Sequence, residues 1–132
     1  MELLHSDLTD AILKAFYDVY NELGYGFLEK VYENSLVIEL HKKELNVRQQ
    51  YPIKVFYEKQ TVGEYFADLL VNELVIVELK GIEKINIAHE AQLTNYLKAT
   101  NIEVGLILNF GPKPEFKRKI FSNSRKANLK GN

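Results

Sequence analysis

Apolar residues recur at helical spacing over the first part of the chain. The segment Leu8–Leu23 places six of them on one helical face: Leu8, Ile12, Ala15, Phe16, Val19 and Leu23. This spacing predicts an amphipathic helix, with Ser6 or Asp7 as its N-cap and Gly24 at its end. A second helix is predicted from about Phe27 to Leu45, with an inner stripe of Leu28, Val31, Tyr32, Ser35 and Leu36.

The pattern then changes to short runs that are typical of β-strands. Strands are predicted over residues 47–57, 62–71 and 74–80, with a turn at 58–60. Pro52 indicates that the first strand lies at a sheet edge or contains a bulge. The continuously apolar run 74–77 is typical of a strand covered on both faces. Helical spacing returns from Ile87 to Thr100, and Val104–Phe110 is a further apolar strand.

Gly111-Pro112 is a chain breaker, after which a last, basic helix is predicted from Pro114 to Phe121. The element order is therefore ααβββαβα, an α/β sandwich with a mixed sheet, and the helix between the third and fourth strands suits a right-handed crossover. No repeat or linker divides the chain. We expect one domain over residues 1–121, followed by a basic, flexible tail over 122–132.

The composition is that of an ordinary globular domain, with 132 residues, 46% of them hydrophobic and 27% charged. The absence of Cys excludes a disulfide scaffold and Cys-based zinc sites, and it fits a cytoplasmic location. The chain begins without the pattern of a signal peptide, and no apolar run approaches the roughly 20 residues of a membrane span.

The net charge of −1 gives no general reason to expect a polyanionic partner. Basic residues nevertheless gather near the C-terminus, where Glu115 is the single acid among Lys113, Lys117, Arg118, Lys119, Arg125, Lys126 and Lys130. Such a cluster either contacts phosphates or is simply a solvated surface, and the sequence leaves both interpretations open.

Charged residues interrupt two of the apolar strands. Asp68 lies within the apolar run 65–71, and Glu78 and Lys80 end the run 74–80. Because strand side chains alternate, Glu78 and Lys80 share one face, while Leu79 points to the other. Buried strands rarely carry charge without a partner or a purpose. One interpretation is an intrastrand ion pair.

The other interpretation is a divalent-metal site of the kind that hydrolyses phosphate esters. Asp68 and Glu78 would hold Mg²⁺, with or without the backbone carbonyl of Leu79, and Lys80 would orient water or stabilise charge on the phosphate. This hypothesis sets a condition on the intervening turn. A two-residue loop would pair Asp68 with Val77 and turn it away from Glu78, so a shared metal requires an odd-numbered loop, such as 72–74, or a bulge.

Two helices carry further polar groups on one face each. His89, Gln92 and Tyr96 share a face of the third helix, and Glu29 clusters with Tyr32 and Glu33 on the second. Structural interpretations exist for each: His89 as a surface or capping residue, Tyr96 as core, and Glu29 as an acid favoured at a helix N-terminus.

Together these motifs resemble the GxxExxY family of small bacterial and archaeal proteins, which is assigned to the PD-(D/E)xK nuclease-like superfamily. The match extends from about Leu8 to Phe121, and Ala67 stands where the superfamily name has Pro. The matching segments are Gly26–Tyr32, Gln50–Ile53, Ala67–Val71, Val77–Lys80, His89–Leu97 and Asn109–Gly111.

The resemblance implies a restriction-endonuclease-like αβββαβ core, with a mixed central sheet flanked by helices. It implies that Asp68, Glu78 and Lys80 are the catalytic positions, together with Gln92, and that Glu29 is a further metal ligand. Gln92 and Tyr96 look like the QxxxY element of RecB-type members, which frames the active site and, with His89, would contact substrate.

The function implied is a nuclease that uses Mg²⁺ or Mn²⁺ and acts on nucleic acid, with DNA as the expected substrate. The alternatives are an inactive nucleic-acid-binding or complex-forming protein that keeps the fold, and an enzyme acting on another phosphate ester. The chain leaves little extra surface for substrate recognition, and homodimerisation is one way to supply it.

Overall fold

The computed structural model describes residues 3–126. Three α-helices, five strands and a short 3₁₀ helix make up this part of the chain. In chain order they are α1 (Ser6–Leu23), α2 (Glu29–Lys42), β1 (Val47–Tyr57), β2 (Gln60–Val71), β3 (Val75–Lys80), α3 (Ile87–Lys98), β4 (Val104–Phe110), β5 (Pro114–Ile120) and the 3₁₀ helix (Asn123–Arg125).

The strands form one mixed sheet in the sequential order β1-β2-β3-β4-β5. All neighbours are antiparallel except β3 and β4, which run parallel and are connected through α3. The parallel pair follows from the helical crossover, because a short turn can join only antiparallel strands. β1 lies at an edge of the sheet, which confirms the expectation from Pro52.

Helices cover both faces of the sheet. On one face, α1 and α2 pack over the strands and bury apolar side chains that include Phe16, Tyr32, Leu36, Leu69 and Phe110. On the other face, α3 packs over a second cluster that includes Ile53, Ile76, Leu93, Leu97 and Ile107. Burial on both faces explains why β3 and β4 are almost continuously apolar. The predicted restriction-endonuclease-like α/β architecture is confirmed.

The prediction of a last helix over 114–121 is wrong, because this segment is strand β5. β5 pairs with β4 along its whole length, from Phe110 opposite Pro114 to Val104 opposite Ile120. The tight connection at 111–113 returns the chain directly to the open edge of β4, whose backbone groups need hydrogen-bond partners. The basic side chains of β5 suit an edge strand, where charge discourages pairing with another chain.

Two details of the helices also differ from the sequence-based expectation. α1 begins at Ser6 with His5 as its N-cap, and no side chain caps it. On α2 the buried positions are Tyr32, Glu33, Leu36 and Leu40, whereas Leu28 and Val31 are exposed. α2 is therefore rotated so that an acidic residue, Glu33, faces the protein interior.

Part of the segment predicted to be a flexible tail is described. Over residues 122–126 the chain makes a 3₁₀ turn, and Lys126 donates hydrogen bonds to the carbonyl oxygens of Thr100 and Ile102 at 2.8 and 2.7 Å. Residues 127–132 lie outside the described part of the chain. None of the helices within residues 3–126 combines the length and the apolar character that crossing a membrane requires.

Candidate active site

The turn between β2 and β3 decides whether the two acidic residues meet. Val71 pairs with Val75 and Leu69 with Val77, which leaves a three-residue loop at 72–74. Both Asn72 and Glu73 adopt positive φ angles, of 52° and 57°, in this tight loop. The odd-numbered loop places the next residues along the strands, Asp68 and Glu78, opposite each other. The condition derived from the sequence is therefore met.

Asp68 and Glu78 each bind the backbone of the neighbouring strand. The amide of Asp68 donates to Glu78 Oε2, and the amide of Leu79 donates to Asp68 Oδ2, both at 2.8 Å. The regular pairing of β2 with β3 covers only residues 69–71 and 75–77. The two carboxylates thus take over hydrogen bonding between the strands where the regular pairing ends, which fixes both side chains.

Burial and the nearby Asp68 carboxylate make Glu78 a weaker acid than an ordinary glutamate. Glu78 is only 7% exposed, and this burial, together with the charge of Asp68, raises its pKa to about 8. The hydrogen bond from the Asp68 amide and the positive charge of Lys80 oppose that rise. Two carboxylates forced together away from water favour either a proton or a cation between them.

The start of α2 lies beside the end of β3, where Lys80 is located. Lys80 follows Glu78 by two positions, half-buried, and pairs across the parallel ladder with Asn109. Glu29, the first residue of α2, accepts a hydrogen bond from the amide of Gly81 through Oε2 at 2.9 Å. Glu29 is therefore fixed beside the backbone that follows Lys80.

The remaining residues of the Gly26–Tyr32 motif hold Glu29 in place. Gly26 has a φ of 109°, a conformation that side-chain-bearing residues rarely adopt. The Tyr32 hydroxyl donates to the carbonyl of Gly24 at 2.7 Å and accepts from the amide of Phe27 at 3.2 Å. Its ring stacks on Phe110 with centroids 4.2 Å apart. The glycine and the tyrosine thus shape and secure the loop that leads into the glutamate.

The polar face of α3 lies beside the acidic pair. Gln92 Nε2 donates to the Tyr96 hydroxyl at 3.0 Å. Burial raises the pKa of Tyr96 to about 12, and the charges of Glu78 and Asp68 add to this rise. Tyr96 packs in the same buried cluster as Ala67, the residue that precedes Asp68. His89 has the predicted capping role: it completes a capping box with Asn86 through its Nδ1, and its Nε2 is left for other contacts.

Glu33 is a component of the site that the sequence-based site assignment did not include. It is 4% exposed, and it accepts hydrogen bonds from Gln49 Nε2 at 2.7 Å, Gln50 Nε2 at 3.0 Å and Lys30 Nζ at 2.9 Å. Gln50 Nε2 also lies 3.5 Å from Asp68 Oδ1. Glu33 is therefore connected to the acidic pair through a single carboxamide.

The backbone of Gln50 explains how two adjacent glutamines reach one carboxylate. Neighbouring side chains on a strand normally point to opposite faces. Gln50 has a φ of 53°, in the left-handed region, and its position in the register lies opposite Asp68. This conformation costs about 1–2 kcal/mol for a residue other than glycine, and the bonds to Glu33 and Asp68 offset it. Two features of the sequence could have indicated this part of the site. Glu33 follows Glu29 by one helical turn, and β1 carries the adjacent pair Gln49-Gln50.

Asn109 fixes the loop that follows Lys80. It is fully buried, its Oδ1 accepts from the amide of Ile82 at 3.0 Å, and its Nδ2 donates to the Ile82 carbonyl at 2.9 Å. A Cβ at Gly111 would lie 2.2 Å from that carbonyl, so the close approach requires a glycine at this position. The Asn109–Gly111 motif therefore positions the loop beyond β3 rather than contributing a reactive group.

The acidic groups do not form a complete metal cage by themselves. Among residues 3–126, no group of three or more His, Asp or Glu side chains is close enough to hold a metal ion. The structure brings Asp68 and Glu78 together, and it does not bring Glu29 into one group with them. Two carboxylates do fit a cation such as Mg²⁺, which commonly uses one or two protein carboxylates, with water and substrate phosphate completing its coordination.

Comparison with known protein families identifies the superfamily of the chain. A family model described as the PD-(D/E)XK nuclease superfamily matches residues 6–119. The chain belongs to this superfamily. No match was found among curated proteins or among solved structures.

Proposed function

We propose that the protein is a metal-dependent nuclease that hydrolyses phosphodiester bonds in DNA. Membership of the PD-(D/E)XK superfamily supports a nuclease-like function and a nucleic-acid substrate. The observation that carries the proposal is the placement of Asp68 opposite Glu78 where the regular pairing of β2 with β3 ends. Lys80 follows Glu78 by two positions on β3.

Asp68 and Glu78 would hold a divalent cation, Mg²⁺ or Mn²⁺, with the Leu79 carbonyl and Glu29 as further candidate ligands. When bound, such a cation supplies positive charge at the phosphate and lowers the pKa of nearby water. Each carboxylate uses one oxygen for a backbone amide, so the strands themselves orient both groups before any cation arrives.

Lys80 would stabilise negative charge that develops on the phosphate, or orient the attacking water. A fixed ammonium serves this purpose well in a partly buried site, because it need not reorganise during the reaction. Gln92 would frame the active site from α3, and together with His89 and Tyr96 it would contact the substrate. These roles follow the QxxxY arrangement of RecB-type members.

We also propose that the protein is a member of the GxxExxY group. The geometry of Gly26, Glu29 and Tyr32 supports membership of the GxxExxY group. We further propose that residues 1–121 act as a single catalytic domain in the cytoplasm and that a homodimer supplies additional substrate contacts.

A cleavage assay tests the proposal directly. Purified protein is incubated with single- and double-stranded DNA and RNA, in Mg²⁺, in Mn²⁺ and in chelator. Asp68→Ala and Lys80→Ala should each reduce cleavage by on the order of a hundredfold or more, as expected when key charge stabilisation is removed. Asp10→Ala, which changes an exposed aspartate of α1, is the matched control and should cleave normally.

Two outcomes would count against the proposal. Equal cleavage by all variants would indicate a contaminating nuclease. An absence of cleavage under every condition, with binding of nucleic acid retained, would favour the inactive binding protein instead.

A further inference from the structure

A cavity of about 550 Å³ lies between α3 and the β1–β2 hairpin. Its size falls within the range of about 300–1,000 Å³ that is usual for small-molecule sites. Two aromatic rings from different elements, Tyr65 of β2 and Tyr96 of α3, line one part of it, with centroids 5.7 Å apart and planes inclined by 46°. Small apolar groups complete much of the wall, from Val55, Ala88, Ala91 and Ala99.

The polar groups in the lining are uncharged carboxamides and an imidazole, from Gln92, Asn95 and His89. Over the described range 3–126, the Asn95 side chain has no hydrogen-bond partner, and His89 uses only Nδ1, in its capping box. No Asp, Glu, Lys or Arg lines the cavity. This combination suits a flat, neutral, heteroaromatic ligand, which needs rings to stack on and amides to pair with, and it does not suit a phosphate or another ion.

The cavity adjoins the acidic pair. Tyr96 lines the cavity and packs in one buried cluster with Ala67, the residue that precedes Asp68. On β2, Tyr65 precedes Asp68 by three residues, so the same strand contributes a wall of the cavity and one of the two carboxylates. A nucleotide whose phosphate reached a cation held by Asp68 and Glu78 would therefore have its base on the side of the two rings.

We propose that this cavity receives an unpaired nucleobase beside the scissile phosphate, so that the substrate is a single-stranded nucleic acid. This inference rests on the proposed nuclease function and specifies the substrate class of that site. In a duplex, both faces of a base are stacked and its pairing edge is occupied, so neither the rings nor the amides of the cavity could engage it. Unpaired bases bind proteins in this way, through aromatic stacking and hydrogen bonds to their exposed edges.

A binding measurement separates this inference from catalysis. Fluorescence anisotropy is recorded in chelator with a labelled single strand, the same strand in a full duplex, and the same strand carrying abasic positions. Wild-type protein should bind the intact single strand about tenfold more tightly than the other two, in line with the contribution of stacking one base on an aromatic residue. Equal affinity for all three would overturn the proposal.

Tyr65→Ala should remove most of this preference, whereas Tyr65→Phe should keep it, because the stacking surface is retained. Tyr57→Ala is the matched control, since Tyr57 is an exposed tyrosine of the same hairpin that does not line the cavity. Ala91→Phe, a change at an exposed position on α3, should fill the cavity and weaken single-strand binding. An unchanged preference in both Tyr65→Ala and Ala91→Phe would contradict a base in this cavity.

Cleavage then distinguishes the two hypotheses. If the wild type cleaves no nucleic acid but shows the single-strand preference and its loss in Tyr65→Ala, the base site stands and the nuclease function fails. If it cleaves duplex and single strand equally, and Tyr65→Ala cleaves like Tyr57→Ala, the nuclease function stands and the base site fails.

Discussion

Burial of Glu78 beside Asp68 affects stability as well as chemistry. An unfolded glutamate loses its proton near pH 4.5, whereas burial and the neighbouring carboxylate raise the pKa of Glu78 in the folded protein to about 8. Between these values the folded chain holds more protons than the unfolded chain, so folding becomes less favourable as pH rises.

We therefore expect the melting temperature of the metal-free protein to fall as pH rises from 4.5 towards 8. Glu78→Gln should remove most of this dependence, because an amide has no proton to lose in this range. Differential scanning calorimetry across that range measures the effect, with Glu22→Gln on the exposed surface of α1 as control. A Glu78→Gln variant that keeps the wild-type slope would show that another group causes the pH dependence.

At the same scale, the buried carboxylate of Glu33 should contribute to the stability of the fold. Glu33→Ala removes the closest acceptor of the Gln49 and Gln50 carboxamides, and we expect a loss of about 1–3 kcal/mol in the free energy of unfolding. Glu39→Ala removes a carboxylate paired with Lys42 on the same helix and should cost under about 1 kcal/mol. Urea denaturation compares the two, and equal losses would show that the Glu33 bonds add nothing.

At the scale of elements, the β2–β3 loop controls the site through its parity. Deleting Ile76, with Val71 still paired with Val75, would bring Leu79 opposite Asp68 and turn Glu78 to the other face of the sheet. We expect cleavage to fall by on the order of a hundredfold or more, as when a charge-stabilising group is lost.

Inserting a pair of glycines after Glu73 is the control for that deletion. The insertion lengthens the loop but keeps its number odd, so Asp68 stays opposite Glu78 and activity should persist. Circular dichroism checks that both variants fold. Equal loss of cleavage in two folded variants would show that any change to the hairpin, and not its register in particular, abolishes cleavage.

The helices and strands differ in how well the local sequence specifies them. The apolar periodicity of α1 and the apolar runs of β3 and β4 predict these elements, because each must bury one or both faces. In the segment that forms β5, the basic and apolar residues follow neither a clear helical nor a clear strand period. The helix predicted there is therefore wrong without any local sign of the error. Only the open edge of β4, reached through Gly111, makes it a strand.

At the scale of the whole molecule, cation binding and folding should be coupled. The β2–β3 pairing that positions Asp68 and Glu78 exists only in the folded chain, so a cation that binds there stabilises the fold. At a Mg²⁺ concentration a hundred times its dissociation constant, the stabilisation is about 2.7 kcal/mol.

Thermal melts at neutral pH should show this increase in the wild type and not in Asp68→Asn. Calorimetric titration in buffers of different ionisation enthalpy should show release of a proton, because Glu78 must lose its proton to become a ligand. An equal rise of the melting temperature in Asp68→Asn would place the cation elsewhere.

Some features of the candidate site follow from the local sequence, whereas others depend on contacts between residues far apart in the chain. Strand alternation alone puts Glu78 and Lys80 on one face, and the sequence also states the condition on loop parity. Helical spacing alone groups Gln92 with Tyr96. The bond from Gly81 to Glu29 could not be derived from spacing, because it joins residues far apart in the chain.

By itself, the sequence determined the α/β order, the apolar strands and the chemical groups available at Asp68, Glu78 and Lys80. These depend on local periodicity and residue type. Only the tertiary structure decided that the 72–74 loop is odd, that Gln50 turns towards Glu33, and that Tyr65 and Tyr96 enclose a cavity. The parity of the loop depends on the register of one hairpin, and the other two features depend on contacts between distant segments. All three are set by the packing of the whole sheet against its helices.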